Sequence, residues 1–221
     1  MRLVVFDMDG TLIDSVAFMV ETVITAFEAV NETAPSEQAI RAISGITARE
    51  AMGILAPGVE PERVEAILQS YRTHYLSRAG IMHEPLFAGA LAALDRLQQP
   101  DTILAVATGK GYRGAVTLLE RHGIIGRFHT IQTPDHNRGK PDPQMIETAM
   151  QHAGIGREAT VMIGDTVHDM RMARAAGVKA LGVSWGYHAV PDLHQAGAHH
   201  VLDRFDDLDA ALERLLVAAD A

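Results

Sequence analysis

At 221 residues, with 48% hydrophobic residues and no cysteine, the chain has enough apolar material for a packed core and cannot build a disulfide framework or a thiolate metal site. Its 28 acidic against 19 basic residues give a net charge of -9, which argues against nucleic acid or an anionic membrane as the main partner. No apolar run approaches the roughly 20 residues of a membrane span, and Asp7 and Asp9 cut the first one too early for a secretory leader. A cytoplasmic protein whose N-terminus belongs to the mature fold is expected.

Leu3 to Phe6 is a short β-rich run of the kind buried on both faces of a parallel sheet. From Ser15 to about Met82 the pattern is helical only. Val16, Val20, Val23, Phe27 and Val30 share one helix face, Pro35-Ser36 opens a second helix, and Thr47-Ala48-Arg49-Glu50 is a capping box opening a third. Pro61 to Ser77 supports a fourth. Alternation resumes near Glu84, with strands over Ile103 to Ala107, Thr130 to Ile131, Thr160 to Ile163 and Lys179 to Val183. Between them, Asp142-Pro143 opens a helix ending near Gly154, and Gly177 closes one that begins at Val167. The prediction is an α/β, doubly wound parallel-sheet core formed by residues 1-14 and 83-221. An all-helical cap over residues 15-82 is inserted after the first strand.

The chemistry concentrates at predicted strand ends, where ligands bind in open α/β sheets. Asp7 and Asp9 follow the first strand two residues apart, so both address one side of the chain, and Gly10 permits a sharp exit. Two carboxylates so close require a cation or a proton between them. Thr108-Gly109-Lys110 ends the next strand with a hydroxyl and an exposed amide suited to phosphate oxygens. Gly139-Lys140-Pro141-Asp142-Pro143 holds one of only three lysines in a stiff loop. Gly164-Asp165 ends a further strand, where Asp165 can reach a metal. Thr166 and Asp169 fit a capping box, which makes Asp169 a support for that loop.

In this order, Asp7-Met8-Asp9-Gly10-Thr11, Thr108, Lys140 and Gly164-Asp165 with Asp169 resemble the motifs of the haloacid dehalogenase superfamily of hydrolases over nearly the whole chain. The helical insertion resembles the C1 cap of its phosphoglycolate phosphatase-like and β-phosphoglucomutase-like branch. The resemblance implies a Rossmann-like core and Mg2+ held by the Asp7 side chain, the Asp9 backbone carbonyl and Asp165. It also implies attack by Asp7 on phosphorus, proton transfer by Asp9, charge neutralisation by Lys140, and anchoring of the phosphoryl group by Thr108 and the Gly109 amide. Asp9 separates the chain from dehalogenases, which resemble this fold but lack that aspartate. The lack of any lysine before Lys110 separates it from phosphonatases. Mutase relatives carry a histidine near the position of Met19, which favours a phosphatase of a small phosphorylated metabolite. Arg49 keeps the mutase open, because it resembles a substrate arginine of that group. Arg49, with Gly45 and Ile46, either shapes a specificity loop or is an exposed helix residue. Trp185 to His188 either borders the site or packs on the core. A receiver-type phospho-switch shares these residue types but has no helical insertion after its first strand, and an inactive binding relative would not need them all. The sequence has no motif that sets an oligomeric state.

Overall fold

The computed structural model describes residues 1-78 and 84-217. Six parallel strands form one sheet: β1 (Arg2–Phe6), β2 (Thr102–Ala107), β3 (Thr130–Gln132), β4 (Thr160–Gly164), β5 (Lys179–Val183) and β6 (His200–Leu202). Their order is β3-β2-β1-β4-β5-β6, so the direction of winding reverses between β1 and β4. That is the crevice where a doubly wound sheet takes its ligand. β1 is hydrogen-bonded on both sides, with Val4 in register with Leu104 and Val161.

Successive side chains of β1 enter different cores, as a strand buried on both faces requires. Val4 and Phe6 pack with α5 (Ala90–Arg96), α6 (Tyr112–Arg121) and α10 (Leu208–Val217). Leu3 and Val5 pack with α7 (Gln144–Ala153), α8 (Val167–Ala176) and α9 (Val190–Ala196). Left-handed Gly154 and Gly177 terminate α7 and α8.

Between β1 and α5 lie α1 (Val16–Glu28), α2 (Glu37–Ala42), α3 (Ala48–Leu55) and α4 (Pro61–Arg78), which pack around a cluster of their own. Ser36 caps α2 with its side chain, and Thr47 with Glu50 closes a full capping box on α3. The buried stripe of α1 contains most of the expected residues and is wider than expected. Val23 and Phe27 are buried, Val16 and Val20 only half so, and Val30 lies beyond the helix end. Val20 and Val30 still pack against the cluster, and Phe18 and Thr22 are buried as well, the Phe18 ring lying 5.3 Å from that of Tyr75 on α4. The expected boundary at residues 82 and 83 lies outside the described residues. The chain leaves and re-enters the core side by side: Ile13 bridges antiparallel to Leu86, Asp14 N–H donates to Pro85 O at 2.8 Å, and Phe87 N–H to Leu12 O at 3.0 Å. Among the described residues, no helix is long and apolar enough to cross a membrane.

Candidate active site

The sheet order brings the tips of β1, β2 and β4 together. Asp7 follows β1 directly and stays registered to it, its N–H donating to Ile163 O of β4 at 2.9 Å, while Met8 N–H donates to Asp7 Oδ1 at 2.7 Å. The turn that follows has Gly10 at φ 79°, and a Cβ there would fall 2.2 Å from Asp165 Oδ2. Only glycine satisfies both the left-handed backbone and that approach. Asp165, fully buried just past β4, accepts from the Thr11 hydroxyl at 2.7 Å and from Tyr187 N–H at 2.8 Å.

Lys140 joins the set through a buried ammonium that lies 2.8 Å from Asp7 Oδ2 and 2.6 Å from Asp169 Oδ1. Asp169 closes the expected capping box, its Oδ2 accepting from Thr166 N–H at 3.0 Å and from the Thr166 hydroxyl at 2.7 Å. Asp169 is therefore both the cap of α8 and the second anchor of Lys140. Carboxylate oxygens of Asp7, Asp165 and Asp169 lie within 4.8 Å of one another, and all three residues are buried. Three carboxylates against one ammonium leave two negative charges uncompensated, a donor set that fits a hard divalent cation.

The electrostatics carry the same signature. Burial pushes the Asp7 carboxyl up to about 7, with the Lys140 charge opposing and Asp169 adding to the rise. Burial, then Asp7 and Asp169, push Asp165 well above the carboxylate range despite its two hydrogen-bond donors. Burial alone would lower Lys140, but Asp169 and Asp7 outweigh it and hold the lysine above its ordinary value.

Asp9 points elsewhere. Its Oδ2 lies 3.2 Å from Lys110 Nζ, and its Oδ1 is buried without a partner. Lys110 also donates to the Tyr75 hydroxyl at 2.8 Å, with its ammonium 4.5 Å from the centre of that ring. The bridge from Asp9 through Lys110 to Tyr75 joins three distant segments. The sequence signal for it was the rarity of lysine, which singles out Lys110 as well as Lys140. Thr11 and Tyr187, the two donors to Asp165, carried no comparable signal.

Above Asp7 and Asp9 lies a chamber of about 530 Å³, lined from the core by Thr108, Gly109 and Lys110 and from the helical insertion by residues of α1, α3, α4 and the loop between α2 and α3. Thr108 is buried, and its hydroxyl accepts from Lys110 N–H at 3.2 Å. Gly109 has a specific reason to be glycine: a Cβ would sit 2.8 Å from Gly45 O and 2.9 Å from Ile46 O. The same loop abuts Thr166 at Gly45 and Gly139 at Thr47. Gly45 and Arg49 both line the chamber, but Arg49 is 66% exposed and pairs with Glu65 at 2.8 Å. The Trp185 loop does both things expected of it. Trp185 packs between Phe87 and Phe205 and donates to Thr11 O at 3.0 Å, while Tyr187 lines the chamber.

The profile of the haloacid dehalogenase-like hydrolases matches residues 4-183. The chain belongs to this family. It is 36% identical to a protein named probable phosphatase IndB from Dickeya dadantii, over 97% of this chain and 94% of that one. It is 30% identical to a phosphoglycolate phosphatase of Agrobacterium fabrum, over 99% and 95% of the respective chains. Its fold superimposes on a hydrolase from Pseudomonas syringae with a TM-score of 0.85 and 26% identity, over 97% and 99%. The protein is thus a haloacid dehalogenase-like phosphatase with a Rossmann-like core.

Proposed function

We propose that this phosphatase hydrolyses a small phosphorylated metabolite in two steps through an aspartyl phosphate on Asp7, with Mg2+ as its metal. The observation that carries the reading is the pairing of Asp7 with a buried lysine at the floor of a chamber lined on its other side by the helical insertion. Residues 15-82 act as a cap that supplies the contacts to the leaving group, and the core supplies the chemistry.

In the first step a carboxylate oxygen of Asp7 attacks phosphorus in line, the bond to the leaving oxygen breaks, and Asp9 gives that oxygen its proton. Lys140 offsets charge on the nucleophile and the phosphoryl oxygens, while Thr108 and the Gly109 amide hold the group being transferred. In the second step Asp9 takes a proton from water, which attacks phosphorus and frees Asp7 with release of inorganic phosphate. The unpartnered Oδ1 of Asp9 is the atom free to carry that proton. Asp7 and Asp165 through their side chains, and Asp9 through its backbone carbonyl, would hold Mg2+, with Asp169 supporting from behind. Bound there, the metal supplies positive charge against the repulsion between carboxylate and phosphate dianion. Arg49 and Gly45 stand on the cap side, where Arg49 would meet a distal anion of the substrate.

The test is phosphate release from a panel of metabolite esters with and without Mg2+. Turnover that is abolished by chelation and restored by Mg2+ is expected. Undiminished turnover in chelator would overturn the metal assignment.

A further inference from the structure

The walls of the chamber carry more positive charge than its own acids engage. Of the acids that line it, Asp7 faces Lys140, Asp9 faces Lys110, and Asp135 accepts from Tyr112 N–H at 2.7 Å at the start of α6. Of the cations, Lys110 is held by Asp9 and Tyr75, and Arg49 by Glu65. Arg72 and Arg113 line the chamber too, and among the described residues neither has a hydrogen bond or an ion pair. Glu65 feels the charge of Arg72, but its ion pair goes to Arg49. In a chain of net charge -9, with acids to spare, two unengaged guanidiniums on one cleft run against the overall composition.

The two arginines come from opposite sides of the cleft. Arg72, Tyr75 and Leu76 line the chamber at helical spacings of three and four, so they share one face of α4 in the insertion. Arg113 stands in the first turn of α6 in the core. The next residue, Gly114, is so near α4 that a Cβ there would lie 3.4 Å from the Tyr75 ring. Arg72 and Arg113 therefore flank the place where insertion and core meet, both exposed and both on the chamber. A guanidinium presents a planar fork that takes a carboxylate or a phosphate through two parallel N–H bonds, and unpaired like charges on a cleft focus their field on an incoming anion. Arg49 can join only by leaving Glu65, whereas Arg72 and Arg113 have no pair to leave.

We infer that Arg72 and Arg113 form a subsite for a second anionic group on the leaving alcohol, a carboxylate or a second phosphate, which bridges the insertion to the core. The inference rests on the phosphatase reading above and narrows it.

The test measures kcat/KM, in Mg2+, for pairs of esters that differ in the far end of the leaving group: phosphoglycolate against 2-hydroxyethyl phosphate, 3-phosphoglycerate against glycerol 3-phosphate, and 6-phosphogluconate against glucitol 6-phosphate. Fructose 1,6-bisphosphate against fructose 6-phosphate puts a phosphate in place of the carboxylate. At least one anionic member should exceed its uncharged counterpart by about tenfold or more, and the pair with the largest ratio identifies the anion and its reach. Arg72→Gln and Arg113→Gln, which keep helix propensity, should each lower that ratio about tenfold while the uncharged ester keeps its turnover. Arg72→Lys and Arg113→Lys, which lose the fork, repeat the measurement should a Gln variant fold poorly. No preference in any pair, a preference that survives either substitution, or an equal fall for both members of a pair overturns the inference alone. No turnover of any ester, p-nitrophenyl phosphate included, overturns the phosphatase reading and this inference with it.

Discussion

Asp7 combines two conditions that oppose each other. As the proposed nucleophile it must be ionised to attack, yet its burial favours the proton and holds its carboxyl near 7. Lys140 resolves the conflict, which makes the pair inseparable. Asp7→Asn should lose about 10³-fold or more in kcat while remaining folded, since an amide is a poor nucleophile and a poor metal ligand. Phosphate release measured beside a circular dichroism spectrum decides this, and near-normal turnover would refute the aspartyl-phosphate route. Lys140→Met should act on stability as well, because it leaves Asp7 and Asp169 buried without their counter-charge. A loss of about 3 to 5 kcal/mol is expected in denaturant titrations run in chelator. Most of this was legible in the sequence, because each acid falls directly after an apolar run and a lysine in a stiff loop is conspicuous among only three. Lys110 was harder to assign: its partners Asp9 and Tyr75 stand on β1's exit and on α4, and no spacing along the chain links them.

Secondary-structure elements carry the site as rigid parts. The capping box of α8 fixes Asp169, and through it Lys140, so losing the Thr166 hydroxyl would loosen both a helix end and an active-site lysine. Gly109 plays the matching part between core and cap. Gly109→Ala would drive a methyl group into two backbone carbonyls that have no soft side chain to move aside. The cap loop would then sit high, and kcat/KM should fall roughly 10 to 100-fold, in line with the penalty for misplacing reactive groups by about 1 Å. Steady-state kinetics with an unaltered Tm would confirm the origin, whereas wild-type kinetics would show that the loop's seat is dispensable. The capping boxes on α3 and α8 were readable because a box is a local pattern of residue types. β6 was not predicted, since His200–Leu202 has only three residues and is a strand by virtue of its pairing with β5. The buried stripe of α1 was read too narrowly for a related reason: Phe18 is also buried, against Tyr75, a partner more than fifty residues away.

For the molecule as a whole, the crowded carboxylates make stability depend on pH and metal together. Asp7 and Asp165 have raised values, so the folded chain binds more protons than the unfolded one, and their contribution is lost as pH rises through the folded values. Without divalent metal, the Asp7 contribution should therefore lower Tm from the ordinary carboxylate range near pH 4 up to about pH 7, where Asp7 has ionised and its slope flattens. His168 and His188, held below the usual histidine value by burial, give the opposite slope, but only below about pH 6.5. Mg2+ should raise Tm more at pH 8 than at pH 6.5, because ionised carboxylates receive it. Thermal melts in chelator and in excess Mg2+ check both slopes, and a flat profile in chelator would contradict the charge balance described for the site.

The two passages between core and cap, bonded to each other from Leu12 to Asp14 and from Pro85 to Phe87, have a mechanical consequence. A pair of tethers clamped side by side behaves as a leaf spring, which bends in one direction and resists sliding and twisting. The proposed cap would then have a single easy motion, and the ester's way in would also be the alcohol's way out. On the proposed two-step route, departure of the alcohol would open the path by which water reaches Asp7. Traffic through that one doorway, rather than bond breaking, can then set the pace of the catalytic cycle.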